Sequence, residues 1–170
     1  MSKLVVFVFF FLPFLQYAQQ GYPTPADSQR RLFYIQHSKN HNTFVYDANL
    51  AKAGKLNTAD PVEVYRITYE EGGAKEELTQ VQRKMAYGVT VNSVSASGCE
   101  FTLSAYPAQK LVLKLGKEGK PYVTTHINGK TITLKRLYLQ MGKLGTNVLY
   151  IDFYGKDANG KEVSERLYVK

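Results

Sequence analysis

From residue 32 to residue 169 the chain alternates apolar and polar side chains in short runs, punctuated by turn residues roughly every eight to twelve positions. That period of two is the signature of half-buried strands, and the spacing is that of a sandwich or barrel. Residues 110–115 are the cleanest case, with Leu111, Leu113 and Leu115 on one face and Lys110 and Lys114 on the other. Cys99, Phe101, Leu103 and Ala105 form a second apolar set opposite Glu100, Thr102 and Ser104. Leu149, Ile151 and Phe153 form a third, and Val163, Leu167 and Val169 a fourth. One face of the sheet is therefore expected to be buried and the other wet. The wet face of residues 148–154 carries Tyr150, Asp152 and Tyr154.

The turns give the connectivity. Runs 32–37 and 43–48 flank polar residues 38–42, 90–95 and 99–106 flank Ala96-Ser97-Gly98, and 110–115 and 122–127 flank residues 116–119. Residues 62–69 read as a further strand, and 148–154 and 162–169 pair across Asp157-Ala158-Asn159-Gly160. Asn128-Gly129 predicts a type I′ turn from 122–127 into 131–140, because both residues tolerate positive φ. Residues 74–87 break the rhythm: Leu78, Val81 and Met85 fall at helical spacing, with Glu76 and Glu77 early, Arg83 and Lys84 late, and Gly88 at the exit. The pattern predicts a mainly β fold, an antiparallel barrel or sandwich of about eight to ten strands with one helix across an end.

Three charges fall on apolar parities: Arg66, Arg136 and Glu165. An inward charge is costly unless paired. A β-bulge near Lys135-Arg136 would move the parity from Ile132 and Leu134 to Leu137 and Leu139 and release Arg136 to the outside. Arg66 escapes if Tyr65, Ile67 and Tyr69 are the buried set. Glu165 has no such exit, and an internal Arg–Glu pair at the polar end of a ligand cavity is the expectation it raises. With Tyr150, Asp152 and Tyr154, these three charges make up the candidate ligand-binding set.

Residues 1–18 change the cellular picture. Lys3 precedes an apolar run over residues 4–15 that is too short for a membrane span and fits a secretory signal ending at Ala18. Residues 19–31, with Pro23 and Pro25, read as an extended leader, and 32–170 as a single domain. Exported and periplasmic or secreted is the expected location, and no later segment is apolar enough to cross a bilayer. Cys99 is the single cysteine, which excludes an intramolecular disulfide. The formal charge of +8 is scattered, with nothing longer than the pairs Arg30-Arg31 and Arg83-Lys84, so no nucleic-acid stripe is formed.

Chemistry-bearing motifs are sparse. His37 and His41 straddle a turn and His126 is remote, so no zinc set is read. Asp47 and Asp60 bound a loop of the wrong length for calcium, with Ala51, Lys52 and Ala53 where oxygen ligands are needed. Glu70-Glu71 and Glu76-Glu77 are solvated acids near a helix start. Catalytic residues, metals and cofactors are not assigned, and an enzyme is the least favoured class.

Several blocks together resemble a known family: Leu32-Phe33-Tyr34-Ile35-Gln36, Val45-Tyr46-Asp47-Ala48-Asn49, Gly54-Lys55-Leu56-Asn57, Asp60-Pro61-Val62, Tyr69-Glu70-Glu71-Gly72-Gly73, Gln82-Arg83-Lys84-Met85-Ala86-Tyr87-Gly88, Phe153-Tyr154-Gly155-Lys156-Asp157 and Gly160-Lys161-Glu162-Val163. The chain is similar over nearly all of its mature length to domain-of-unknown-function family 4833, small exported proteins found largely in Bacteroidetes. The resemblance implies an envelope or secreted location and one intact domain, and no activity. Two function classes follow from the residues: a non-enzymatic binding protein holding a small apolar or aromatic molecule in a barrel, or a structural or interaction protein of the cell envelope using an outer tyrosine face (Tyr150, Tyr154, Tyr168).

Overall fold

A computed structural model describes residues 21–70, 72–145 and 147–169; the expected signal segment 1–18 and the start of the leader lie outside them. Eleven strands form one sheet: β1 (Arg31–His37), β2 (Asn40–Ala48), β3 (Val62–Ile67), β4 (Lys75–Glu77), β5 (Val89–Ser95), β6 (Gly98–Leu103), β7 (Tyr106–Leu115), β8 (Pro121–Ile127), β9 (Lys130–Met141), β10 (Val148–Lys156) and β11 (Glu162–Tyr168). Helix α1 (Gln80–Gln82) continues as a π turn (Arg83–Tyr87).

β9 organises the sheet because it is long enough to serve three partners. Its residues 130–133 pair with β8, residues 136–139 pair with β1, and β10 runs antiparallel along residues 133–141. One wing continues β8-β7-β6-β5 and the other β1-β2-β3-β4, while β11 extends β10. The sheet curls into a half-barrel around one core to which both wings contribute, including Phe33, Phe44 and Tyr46 from one and Phe101, Leu111 and Leu113 from the other. The mainly β expectation holds, with one difference: β1 runs parallel to β9, so the sheet is mixed. The long stretch of chain between β1 and β9 permits a parallel pairing, which a short hairpin would forbid.

Local chemistry explains most elements. Asn128 (φ 51°) and Gly129 (φ 78°) both take left-handed conformations, as the tight β8–β9 hairpin requires. The parity shift in β9 is a register irregularity in which Tyr154 faces Arg136 but Gly155 faces Leu134. Lys135 is the extra residue, and Leu134 and Leu137 are both buried. The helix starts later than residue 74. Lys75–Glu77 is recruited as strand β4, held by ion pairs of Lys75 with Glu63 and of Arg66 with Glu76. Thr79 and Gln82 then form a capping box that fixes the helix start. Of the expected apolar helix face only Leu78 is buried, and Val81 and Met85 are 69% and 74% exposed. Tyr87 ends the π turn stacked on Phe44, and its carbonyl accepts from Tyr46 Oη at 2.7 Å, joining this segment to β2. The β6–β7 turn at Ser104-Ala105 also cuts the expected strand 99–106, so Ala105 is exposed rather than in the core.

The leader is strapped onto the outer face. Tyr22 Oη donates to the His37 carbonyl at 2.8 Å, and the Pro23 carbonyl accepts from Thr43 Oγ1 at 2.7 Å. Pro25 is buried, and beneath this strap the polar face of β1 and β2 is closed, so that Gln36 and Thr43 are buried.

Candidate functional site

β10 places the candidate side chains by simple alternation. Ile151 and Phe153 point into the core, so Tyr150, Asp152 and Tyr154 occupy the opposite face. On β9 the residues opposite them are Gln140, Tyr138 and Arg136; on β11 they are Tyr168, Arg166 and Ser164. Three strands therefore set nine side chains in a grid.

The grid is tied together by charge and aromatic contacts. The Arg166 guanidinium lies 3.8 Å from the centre of the Tyr150 ring and donates to both Asp152 oxygens, Nε to Oδ1 at 2.6 Å and Nη2 to Oδ2 at 2.9 Å. Tyr168 meets Tyr150 edge to face at 6.0 Å and is 69% exposed. Arg136 lies 4.1 Å over the Tyr154 ring. Burial first, then the Asp152 carboxylate, pushes the Tyr154 phenol up, against the lowering effect of Arg136 and Arg166. Arg166 is held firmly charged by its hydrogen bonds to Asp152. The two arginines differ in one respect: Asp152 neutralises Arg166, whereas Arg136 forms no ion pair among the described residues. Arg136 is thus a guanidinium laid on an aromatic ring with no carboxylate partner among the described residues. A stacked, oriented guanidinium suits bidentate capture of a carboxylate.

The grid continues toward the strap. Tyr34 and Gln36 of β1 are opposite Arg136 and Tyr138, and the Tyr22 ring meets Tyr138 edge to face at 6.3 Å. Burial, then Tyr138, raises the Tyr22 phenol to about 12.

Four of the six expected site residues come together here: Arg136, Tyr150, Asp152 and Tyr154. Arg66 and Glu165 do not. Arg66 sits across the sheet with Glu76, its Nε 2.7 Å from Oε2. Glu165 is claimed by Lys130 and by Asn128 Nδ2 at 3.1 Å, which hold its carboxyl below the usual range. No Arg–Glu pair therefore joins Arg66 or Arg136 to Glu165, because the β8–β9 turn reaches over β11 and supplies the cation instead. Arg166 and Tyr138 escaped the sequence reading. The hairpin register set by the 157–160 turn, in which Lys156 faces Glu162, puts Arg166 opposite Asp152 by counting alone.

Other chemistry-bearing groups have structural partners. Asp47 is ion-paired to Arg31 at 2.6 Å and accepts from Tyr65 Oη at 3.2 Å, so it does not face the loop that follows β2. Cys99 is buried and its thiol is pushed up to about 11. Among the described residues no three histidine, cysteine or acidic side chains are grouped as metal ligands, and no helix is long and apolar enough to cross a membrane.

His37 is the exception in electrostatics. Its ring is buried beside Phe44 and Tyr87, Nδ1 accepts from the Lys39 amide at 3.3 Å, and Nε2 has no partner among the described residues. Burial lowers its pKa from 6.5 to about 4. The folded protein therefore binds fewer protons than the unfolded chain between those values, and stability falls as pH drops through that window. From pH 7 to pH 5 the expected loss is about 2 kcal/mol. Urea melts at the two pH values check it: His37→Phe should remove most of the difference, and an unchanged difference would contradict the assignment.

Among known families, the model described as domain of unknown function DUF4833 aligns with residues 33–166, which include both wings and most of the grid. Neither the curated proteins nor the solved structures yield a match.

Proposed function

We propose that this chain, which belongs to the DUF4833 family, is an exported, non-enzymatic binding protein that recognises an extended carboxylate-bearing polymer on the outer face of β9, β10 and β11. The observation that carries the reading is Arg136: a guanidinium stacked on Tyr154, in line with Tyr150, Tyr168 and Arg166, with no acidic partner among the described residues. Tyr150 and Tyr154 are four residues apart on one strand, a separation of about 13 Å, so the surface suits a ligand longer than one ring. The chain's +8 charge favours an acidic partner over a basic one. Two further features support the outer face over the interior. The largest inward side chains, Tyr46, Phe33, Phe44, Phe101 and Phe153, are all fully buried against one another's cluster. The outer face also stacks both arginines on tyrosines, Arg136 on Tyr154 and Arg166 on Tyr150, in an arrangement suited to binding. Export rests on the signal-like pattern of residues 1–18.

Calorimetric titration of the mature chain with polygalacturonate, against neutral dextran, tests this at about 0.15 M salt, where distant surface charges are screened. The wild type should bind the acidic polymer and not dextran. Arg136→Gln should weaken binding about tenfold, the scale of one charge-assisted hydrogen-bonded contact. Lys117→Gln, which removes the same charge from an exposed turn, should change it less than about twofold. Equal losses from both substitutions, or no binding by the wild type, would overturn the proposal.

A further inference from the structure

The sheet has three terminal strands, and they are finished differently. β4 is three residues long and charged, with Lys75 and Glu76 in ion pairs. β11 is crossed by the β8–β9 turn, with Asn128 Nδ2 donating to the Arg166 carbonyl at 3.3 Å and Lys130 paired to Glu165. Short length, charge and a covering loop are the usual means of keeping an edge from recruiting another strand.

β5 lacks these three devices. It is seven residues long, pairs only with β6, and is exposed from Thr90 to Ser95. Its sequence Val89-Thr90-Val91-Asn92-Ser93-Val94-Ser95 is rich in β-branched residues, and the chain carries no Lys, Arg, Asp or Glu from residue 85 to residue 99. The register shift between Val91 and Ser93 leaves Val89, Val91 and Val94 opposite Leu103, Phe101 and Cys99, so all three valines share the core-side face. Val91 and Val94 are nevertheless 38% and 40% exposed. Helix α1 and the π turn leading into β5 add Val81 and Met85, so among the described residues four of the eight exposed large apolar side chains lie between residues 81 and 94.

We infer that β5 is a homodimerisation edge, pairing antiparallel with β5 of a second copy about a two-fold axis. The occupant follows from charge. Two chains of +8 repel over most of their surfaces, and a fifteen-residue uncharged segment is where they approach at least cost. A foreign acidic strand would find no cation within that segment, and a basic one would meet Arg83 and Lys84 at its start. Along residues 85–99 a second copy meets the same neutral side chains and offers its own valines to cover Val91 and Val94, the charges of Asp60, Arg83 and Lys84 lying beside the start of the strand at Val89 and Thr90. The two-fold arrangement consumes both β5 edges, and with β4 and β11 blocked the contact closes at a dimer instead of propagating. This surface is separate from the β9–β11 grid, so the two readings stand or fall independently.

Sedimentation equilibrium of the mature chain from about 1 to 500 μM, spanning the range of ordinary association constants, reads the result. A monomer–dimer equilibrium is expected. Val91→Lys and, independently, Asn92→Pro should each weaken the dimer at least about tenfold by placing a charge or removing a donor at the edge. Circular dichroism must show each variant keeping the β spectrum, and Val94→Lys replaces either one that unfolds. Ala158→Lys, in the exposed β10–β11 turn, should leave association unchanged. A wild type that stays monomeric throughout, or a dimer that survives the β5 substitutions, would overturn the inference.

Discussion

Phe101→Ala is expected to destabilise the protein by about 3–5 kcal/mol, the range for deleting a buried aromatic ring whose cavity cannot collapse. The ring is fully buried on β6 and lies in the cluster shared with Leu111 and Leu113 of the neighbouring strand and with Phe33 and Tyr46 of the other wing. Phe101 is paired with Leu111 on β7 and Val91 on β5, so the gap opened there is flanked by hydrogen-bonded strands that cannot move inward without dragging their ladders. Urea unfolding followed by far-ultraviolet circular dichroism reads the change. Leu149→Ala supplies the contrast. Its parity matches Ile151 and Phe153, yet it is 45% exposed at the start of β10, and its loss should stay below about 1 kcal/mol. Similar costs for the two would mean that the interior is not the one described.

Gly155→Ala should cost about 1–3 kcal/mol or more, although Gly155 does not need a left-handed backbone. The reason is space. A Cβ there would lie 2.0 Å from the Thr133 carbonyl oxygen and 2.8 Å from Ile132 Cγ2. The carbonyl belongs to β9 beside its bulge and cannot swing away as a side chain would. Gly155 lets β10 follow β9 through the irregularity that turns Arg136 outward. The same substitution at Gly160 meets open space but a positive φ of 79°, and should cost about 1 kcal/mol through backbone strain alone. Thermal melts of the two variants separate the mechanisms. A Gly155→Ala variant as stable as the wild type would require β9 and β10 to run farther apart.

Much of this architecture is legible in the alternation. The leucines of β7, the Asn128-Gly129 turn and the bulge after Leu134 each follow from residues a few positions apart, and local geometry decides them. What alternation cannot convey is who pairs with whom across long separations. The parallel contact of β1 with β9 joins residues about a hundred positions apart, with no turn to announce it. Helix α1 is shorter than the pattern predicts because Glu76, an acid suited to a helix start, serves equally well as the cross-strand partner of Arg66, and the sheet takes it together with Lys75, which pairs with Glu63. The site divides in the same way. Tyr150, Asp152 and Tyr154 share a face by parity, and Arg136 joins them through the bulge. Glu165 could not be placed from its own strand, since its partner Lys130 comes from the start of β9, 35 residues earlier.

Backbone amide mapping by ¹⁵N correlation spectroscopy, with polygalacturonate added to the mature chain, tests the recognition face most directly. Shifts confined to Arg136, Tyr138, Tyr150, Tyr154, Arg166, Tyr168 and their strand neighbours are the expected result. Shifts centred instead on core positions such as Phe33, Phe101 and Leu113 would contradict it, by placing the ligand inside the half-barrel.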